Sequence, residues 1–116
     1  MVGFTLCSNP DTVRAPDVAF VRQERLPTGR LRGFWTGPPD LAAEVLSPDD
    51  RPADIRAKID EYLTYGVLGV VVLDPDEATA TIHRRLSPPV TSRGDEDVDL
   101  DDIVMGFCCK PREIFE

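Results

Sequence analysis

One stretch of the chain, residues 40–73, restricts the fold more than any other. It begins with a mostly apolar segment of strand length, Asp40 to Leu46 (DLAAEVL), which Ser47-Pro48 ends. A helix predicted to begin near Pro52 follows it. Next comes Leu68 to Leu73 (LGVVVL), an apolar run without alternation, which is typical of a strand covered on both faces. Strand, helix and buried strand in this order favour a right-handed crossover.

The predicted helix has clear start, face and stop signals. Proline suits the first helical position, because its missing N–H would have no intrahelical partner there. Ile55, Ile59 and Leu63 repeat at i, i+4 and i+8, which makes one apolar stripe. Gly66 then fits the position just beyond the last turn.

Shorter β-prone segments flank this unit. Residues 2–7 predict a short strand, Asp17 to Val21 follows Pro16 as a second one, and Ala78 to Arg84 alternates like a half-buried strand. The pattern predicts an α/β (α+β) fold in which a helix packs on one face of a sheet.

The remaining segments complete one domain. A chain of 116 residues has the usual size of a single domain, here residues 1–116 with a core at 16–84. Residues 86–102 are polar and acidic, which predicts a loop. The apolar stretch Ile103 to Cys109 is expected to dock on the sheet edge.

The net charge of −8 argues against tight binding of nucleic acid, since phosphate contacts need Lys and Arg. The distribution weakens this objection. Residues 95–102 (DEDVDLDD) hold six acids and no base. Four arginines lie between the two candidate acidic positions discussed next: Arg22, Arg25, Arg30 and Arg32.

The few cysteines of the chain are compatible with a reducing compartment. Together with a single histidine, they argue against a zinc site as part of the fold. Cys7 is remote from the adjacent Cys108 and Cys109, and His83 is the single histidine. We expect buried or half-buried free thiols and a solvent-facing His83. No apolar run approaches the ~20 residues that cross a bilayer, and the start shows no signal-peptide pattern. These observations predict a cytoplasmic protein that does not bind membranes.

Two acids are the candidate metal ligands. Glu44 has apolar neighbours on both sides in its predicted strand, and an unpaired carboxylate there would cost several kcal/mol. Asp17 begins the preceding strand, so that both carboxylates can reach the same end of the sheet if the strands pair. Two convergent carboxylates with water and phosphate oxygens make a usual Mg²⁺ site.

Lys58 is the third candidate residue of the site, a lysine that would orient the attacking water or stabilise charge on the phosphoryl oxygen. It lies 14 residues after Glu44, on the flank of the helical stripe, from where its ammonium can reach that carboxylate. The chemistry would be metal-assisted hydrolysis of a phosphodiester. Two simpler readings stay open: Lys58 extends into solvent, or Glu44 and Lys58 form a purely structural ion pair.

Several blocks of the sequence together resemble the Uma2 (DUF820) family of restriction-endonuclease-like proteins in the PD-(D/E)XK nuclease superfamily. The blocks occur in the family's order over about residues 16–84: PDVAFV, PDLAAEVLSPDD, DIRAKIDEYLTYGV and VVVLDPDEATATIHR. The resemblance implies a restriction-endonuclease-like mixed central sheet with a helix packed on it, shortened at its N-terminus.

The resemblance also implies a site and an activity. Asp17, Glu44 and the carbonyl of Val45 would bind Mg²⁺ or Mn²⁺, and Lys58 would be the catalytic lysine. It belongs to a K-x-x-x-Y-x-x-x-G pattern in which Tyr62 and Gly66 are expected to be packing and helix-stop residues. The implied activity is that of a Mg-dependent endodeoxyribonuclease acting on DNA.

Two functions from different classes therefore stand side by side. The first is a metal-dependent endonuclease that hydrolyses phosphodiester bonds in DNA, as a homodimer because cleavage of both strands needs two sites. The second is a catalytically inactive scaffold or interaction domain that keeps the nuclease fold. The net charge and the shortened N-terminus favour the second, and the convergent triad favours the first.

Overall fold

The computed structural model of the protein describes residues 4–8, 11–14, 16–22 and 35–115, with the backbone alone at 4–8, 11–14 and 35–36. The elements in these ranges are, in chain order, β1 (Phe4–Ser8), β2 (Asp11–Arg14), β3 (Val18–Phe20), β4 (Trp35–Thr36), β5 (Leu41–Val45), α1 (Pro52–Thr64), β6 (Gly69–Asp74), β7 (Thr79–Arg84), β8 (Ser87–Arg93), β9 (Val98–Asp99), β10 (Cys108–Cys109) and α2 (Pro111–Phe115).

A mixed sheet with the order β3-β5-β6-β7-β8 carries the candidate site. Strands β5 and β6 are parallel, and the other neighbours in this sheet are antiparallel. A parallel pair needs a long crossover, and α1 supplies it. The fold class and the strand–helix–strand unit predicted from the sequence are confirmed. Strands β1, β2 and β4 form a separate small sheet.

The central strands are covered on both faces, as the continuous apolar run predicted. On one face, Ala42, Val70 and Val72 pack with Ile59 and Tyr62 of α1. On the other face, a C-terminal group packs against the sheet: Val98, Leu100 and Ile103. Ile103 packs against the face of the sheet. The prediction that residues 103–109 dock on the edge of the sheet is therefore wrong.

Helix α1 begins and ends where its signals predicted. Pro52 is its first residue, and the extended Arg51 before it makes no capping hydrogen bond through its side chain. Gly66 has a φ of +106°, a left-handed conformation that L side chains rarely adopt. No helix in the described part of the chain is long and apolar enough to cross a membrane.

The predicted loop at residues 86–102 is wrong in its first half, which is strand β8. Pro88 and Pro89 lie in this strand, although proline cannot donate to a sheet ladder. In this structure they lie on the outer strand of the described sheet, where one side of the ladder is open, beside an irregularity in the pairing with β7. Strand β9 also falls inside the predicted loop and pairs with β10.

Some sequence-based expectations concern residues without a described structure. Arg25, Arg30 and Arg32 lie outside the described ranges. Arg22 is described, and its guanidinium donates to the carbonyl oxygens of Ile103 and Asp102. This arginine therefore ties β3 to the C-terminal segment.

Gly69, at the start of β6, provides a test of the packing between the sheet and the C-terminal segment. A Cβ at this position would overlap Cδ1 of Ile103, which is buried. We expect Gly69→Ala to lower the free energy of unfolding by about 1–3 kcal/mol. Urea denaturation measures the effect.

Ile103→Val is the matched second change, because it deletes the atom that the new methyl group would meet. Gly69→Ala should cost less in the Ile103→Val background than in the wild type. Equal costs in both backgrounds would contradict the proposed overlap.

Candidate active site

Glu44 is the buried charge at the centre of the candidate site. It lies on β5, paired in register with Val72 of β6, and only 5% of its surface is exposed. Its Oε1 accepts a hydrogen bond from the Tyr62 hydroxyl at 3.0 Å. Its Oε2 accepts one from Nζ of Lys58 at 3.3 Å, in an ion pair.

The helix that follows β5 supplies both partners. Lys58 and Tyr62 are four residues apart, so that they lie one turn apart on the same face of α1. Ile59 and Tyr62 are the buried residues of α1, and they anchor the helix on the face that Glu44 shares. Ordinary core packing of α1 therefore brings Lys58 into contact with Glu44, although 14 residues separate them in the sequence.

Asp17 approaches the same end of the sheet from β3. Val18 pairs with Ala43, and extending that antiparallel register by one residue places Asp17 opposite Glu44. Oδ2 of the exposed Asp17 accepts a hydrogen bond from the backbone N–H of Val45 at 2.8 Å. The carboxylate is thereby fixed beside the residue that follows Glu44.

The pKa of Glu44 is raised above its ordinary value of 4.5, and burial is the largest cause. The positive charge of Lys58 and the hydrogen bond from Tyr62 oppose the rise, whereas the negative charge of Asp17 adds to it. Burial thus outweighs the two favourable partners. A further cation near this carboxylate would favour its ionised form.

The donor set can be compared with what a metal ion requires. Within the described residues there is no group of three or more His, Cys, Asp or Glu side chains that could hold a metal. Mg²⁺, however, is commonly bound through one or two carboxylates, with waters and substrate oxygens completing the shell. Asp17 and Glu44 fit a site of that kind, and they do not fit a closed structural site for zinc.

The structure brings together the three side chains singled out in the sequence, Asp17, Glu44 and Lys58, and their catalytic and metal-binding roles stay a prediction. Tyr62 was expected only to pack, and it also contacts Glu44 directly. The four-residue spacing placed Tyr62 on the same face of α1 as Lys58, but the spacing alone does not show that the hydroxyl has a partner.

A cavity of about 340 Å³ lies along the opposite flank of α1, over β6 and β7. His83 lines it together with Val72 and Asp60. The expectation of a solvent-facing His83 is corrected, since its side chain is half-buried and burial lowers its pKa, although the charge of Asp60 opposes this. Glu44 does not line this cavity.

Because the pKa of Glu44 is raised, its ionised carboxylate is expected to lower the free energy of unfolding. We expect Glu44→Gln to raise the free energy of unfolding at pH 7 by about 1 kcal/mol, because the buried charge is removed while Lys58, 31% exposed, can turn to water. The unfolded glutamate ionises first as pH rises. The gain should therefore grow from about pH 4.5 up to the raised pKa and stay constant above it.

Urea denaturation at several pH values tests this expectation, with Glu77→Gln as the control because Glu77 is exposed in the turn between β6 and β7. The control should leave stability unchanged. A loss of stability in Glu44→Gln at pH 7 would show that the ion pair is a net stabilising contact.

Comparisons with known proteins agree with this architecture. A crystal structure described as that of "a putative nuclease belonging to DUF820" from Anabaena variabilis matches with a TM-score of 0.84 and 22% sequence identity. The match covers 98% of this chain and 64% of that chain, so that this chain spans less than two thirds of that protein's length. This likeness confirms the predicted restriction-endonuclease-like fold.

The comparison with curated proteins gives no match. A family model described as "Putative restriction endonuclease" matches residues 2–111, which is nearly the whole chain. The chain therefore belongs to the Uma2 family.

Proposed function

We propose that this protein is a metal-dependent endonuclease that hydrolyses phosphodiester bonds in DNA, with Asp17, Glu44 and Lys58 as its site. The convergence of two acids and a lysine at one end of the sheet is the observation that supports this most. Membership of a family described in terms of nuclease chemistry supports the same class of reaction.

Restriction-endonuclease-like folds generally use divalent metal ions. In this chain the carboxylates of Asp17 and Glu44 and the carbonyl of Val45 would hold Mg²⁺ or Mn²⁺. When bound, the ion polarises a phosphoryl oxygen and lowers the pKa of its water. Lys58 and Tyr62 only partly compensate the burial of Glu44, which supports this assignment because a cation would offset the remaining cost.

Lys58 has two tasks in this proposal. In this structure it is the positive partner of Glu44. Its partial exposure and flexible stem let the ammonium turn from Glu44 to the substrate. There it would orient the attacking water or stabilise the charge that develops on the phosphoryl oxygens.

The charge distribution is compatible with DNA on the side of the sheet that carries the site. The acid-rich segment 95–102 belongs to the C-terminal part, whose Val98 and Leu100 pack on the sheet face opposite α1. Part of its charge is paired within the chain, by Arg84 with Asp102 and by Lys110 with Asp97. The net charge therefore overstates the repulsion that a phosphate would meet near Glu44.

The assembly and location are parts of the same proposal. Cleavage of both strands of DNA needs two sites, which a homodimer would provide. The free thiols of Cys108 and Cys109 fit a reducing compartment such as the cytoplasm.

An inactive scaffold is the second candidate. One observation favours it: each carboxylate oxygen of Glu44 accepts a hydrogen bond from a side chain of α1. In that case Glu44 and Lys58 would be a structural ion pair, and neither metal binding nor DNA cleavage would be found.

Calorimetric titration with Mn²⁺ and a plasmid-nicking assay separate the two candidates. We expect the wild type to bind Mn²⁺ and nick DNA, and Asp17→Asn and Glu44→Gln to lose both. Lys58→Met should reduce nicking by about 100-fold or more. The same variant should bind Mn²⁺ roughly 3- to 10-fold more tightly, because a competing positive charge is gone.

Lys110→Met is the matched control, since Lys110 is the only other lysine in the sequence and it lies near Asp97, in the C-terminal part. It should behave as the wild type in both assays. Equally weak Mn²⁺ uptake by the wild type and Glu44→Gln, without nicking, would exclude the nuclease and leave the scaffold.

A further inference from the structure

Tyr62 combines complete burial with a polar contact to the candidate site. Its relative exposure is 0%, and its ring belongs to the core cluster with Ala42, Val67 and Val70. A phenylalanine would fill this apolar space equally well. The hydroxyl is the part that packing does not explain, and it donates to Oε1 of Glu44.

The carboxylate of Glu44 needs such a partner to hold one orientation. The last torsion of a glutamate side chain is broad, so that packing alone does not fix the plane of its carboxylate. Lys58 is long, flexible and partly exposed, and its contact with Oε2 is the longer of the two. The tyrosine hydroxyl sits on a rigid ring held by the core, which makes it the better constraint.

We propose that Tyr62 is a positioning residue, whose hydroxyl fixes Glu44 through Oε1 so that Oε2 is the oxygen presented to the metal ion. This inference rests on the proposed function. Lys58 donates to the same Oε2, so that a metal ion held there would compete with its ammonium. Partners of ligating carboxylates act on metal affinity, which typically falls 10- to 100-fold when they are removed.

Tyr62→Phe tests the role, with Tyr65→Phe as the matched control. Tyr65 is the other tyrosine of the chain, lies just beyond α1 and is 37% exposed. In the full chain, calorimetric titration with Mn²⁺ should show affinity about 10-fold or more weaker for Tyr62→Phe and within about twofold of wild type for Tyr65→Phe. Thermal unfolding of each variant checks that the ring packing is kept.

A second measurement reads Tyr62 without changing it. The Tyr65→Phe protein contains Tyr62 as its single tyrosine. Saturating Mg²⁺ should then produce an ultraviolet difference spectrum in the tyrosine bands, because the carboxylate that accepts the phenolic hydrogen bond shares its charge with the ion. The Glu44→Gln/Tyr65→Phe protein should show no such difference.

The outcomes distinguish failure of the role of Tyr62 from failure of the proposed metal-dependent function. Unchanged Mn²⁺ affinity in Tyr62→Phe, with binding lost in Glu44→Gln, would overturn the role of Tyr62 and leave the metal site intact. Should Tyr62→Phe fail to fold, a missing tyrosine difference spectrum in Tyr65→Phe would overturn it instead. Failure of the wild type to bind Mn²⁺ would overturn the metal site and this inference together.

Discussion

The burial of one carboxylate, that of Glu44, is the constraint on which the rest of the site depends. Water is almost completely excluded from this residue, and its pKa rises despite a lysine and a tyrosine on its two oxygens. A charge in such a position is tolerated only when its surroundings are arranged around it. The helix α1 provides that arrangement, because the residues that anchor it in the core are interleaved with those that contact Glu44.

The sheet topology places the remaining acid. Strand β5 is parallel to β6 on one side and antiparallel to β3 on the other. The parallel pairing requires the crossover helix, which brings Lys58 over the sheet. The antiparallel pairing brings the beginning of β3 to the end of β5, and with it Asp17. Strand β5 thus has Asp17 beside it from the preceding strand and Lys58 from the following helix. A shift of either register by one residue would turn Glu44 away from them.

Local patterns predicted most of this, and the failures have a common cause. The stripe of α1, its proline and glycine boundaries and the apolar run of β6 are properties of neighbouring residues, so that they can be read along the chain. The strand at Pro88 and Pro89 depends on which side of β8 has a partner, and the docking of Ile103 depends on a remote face of the sheet. The contact of Tyr62 was missed because a core aromatic has the same pattern whether or not its hydroxyl has a partner.

The position of Asp17 bears on the choice between an enzyme and a scaffold. A structural ion pair of Glu44 with Lys58 would be more favourable without a second acid, because the negative charge of Asp17 makes it harder to ionise Glu44. Buried pairs of this kind can often be replaced by apolar residues at little cost or with a gain in stability. In this fold two contributions are unfavourable: the burial of the charged Glu44, and its repulsion by the carboxylate of Asp17, which is held beside β5. A divalent cation held by both carboxylates would offset both costs, which is the physical argument for the proposed metal-dependent site.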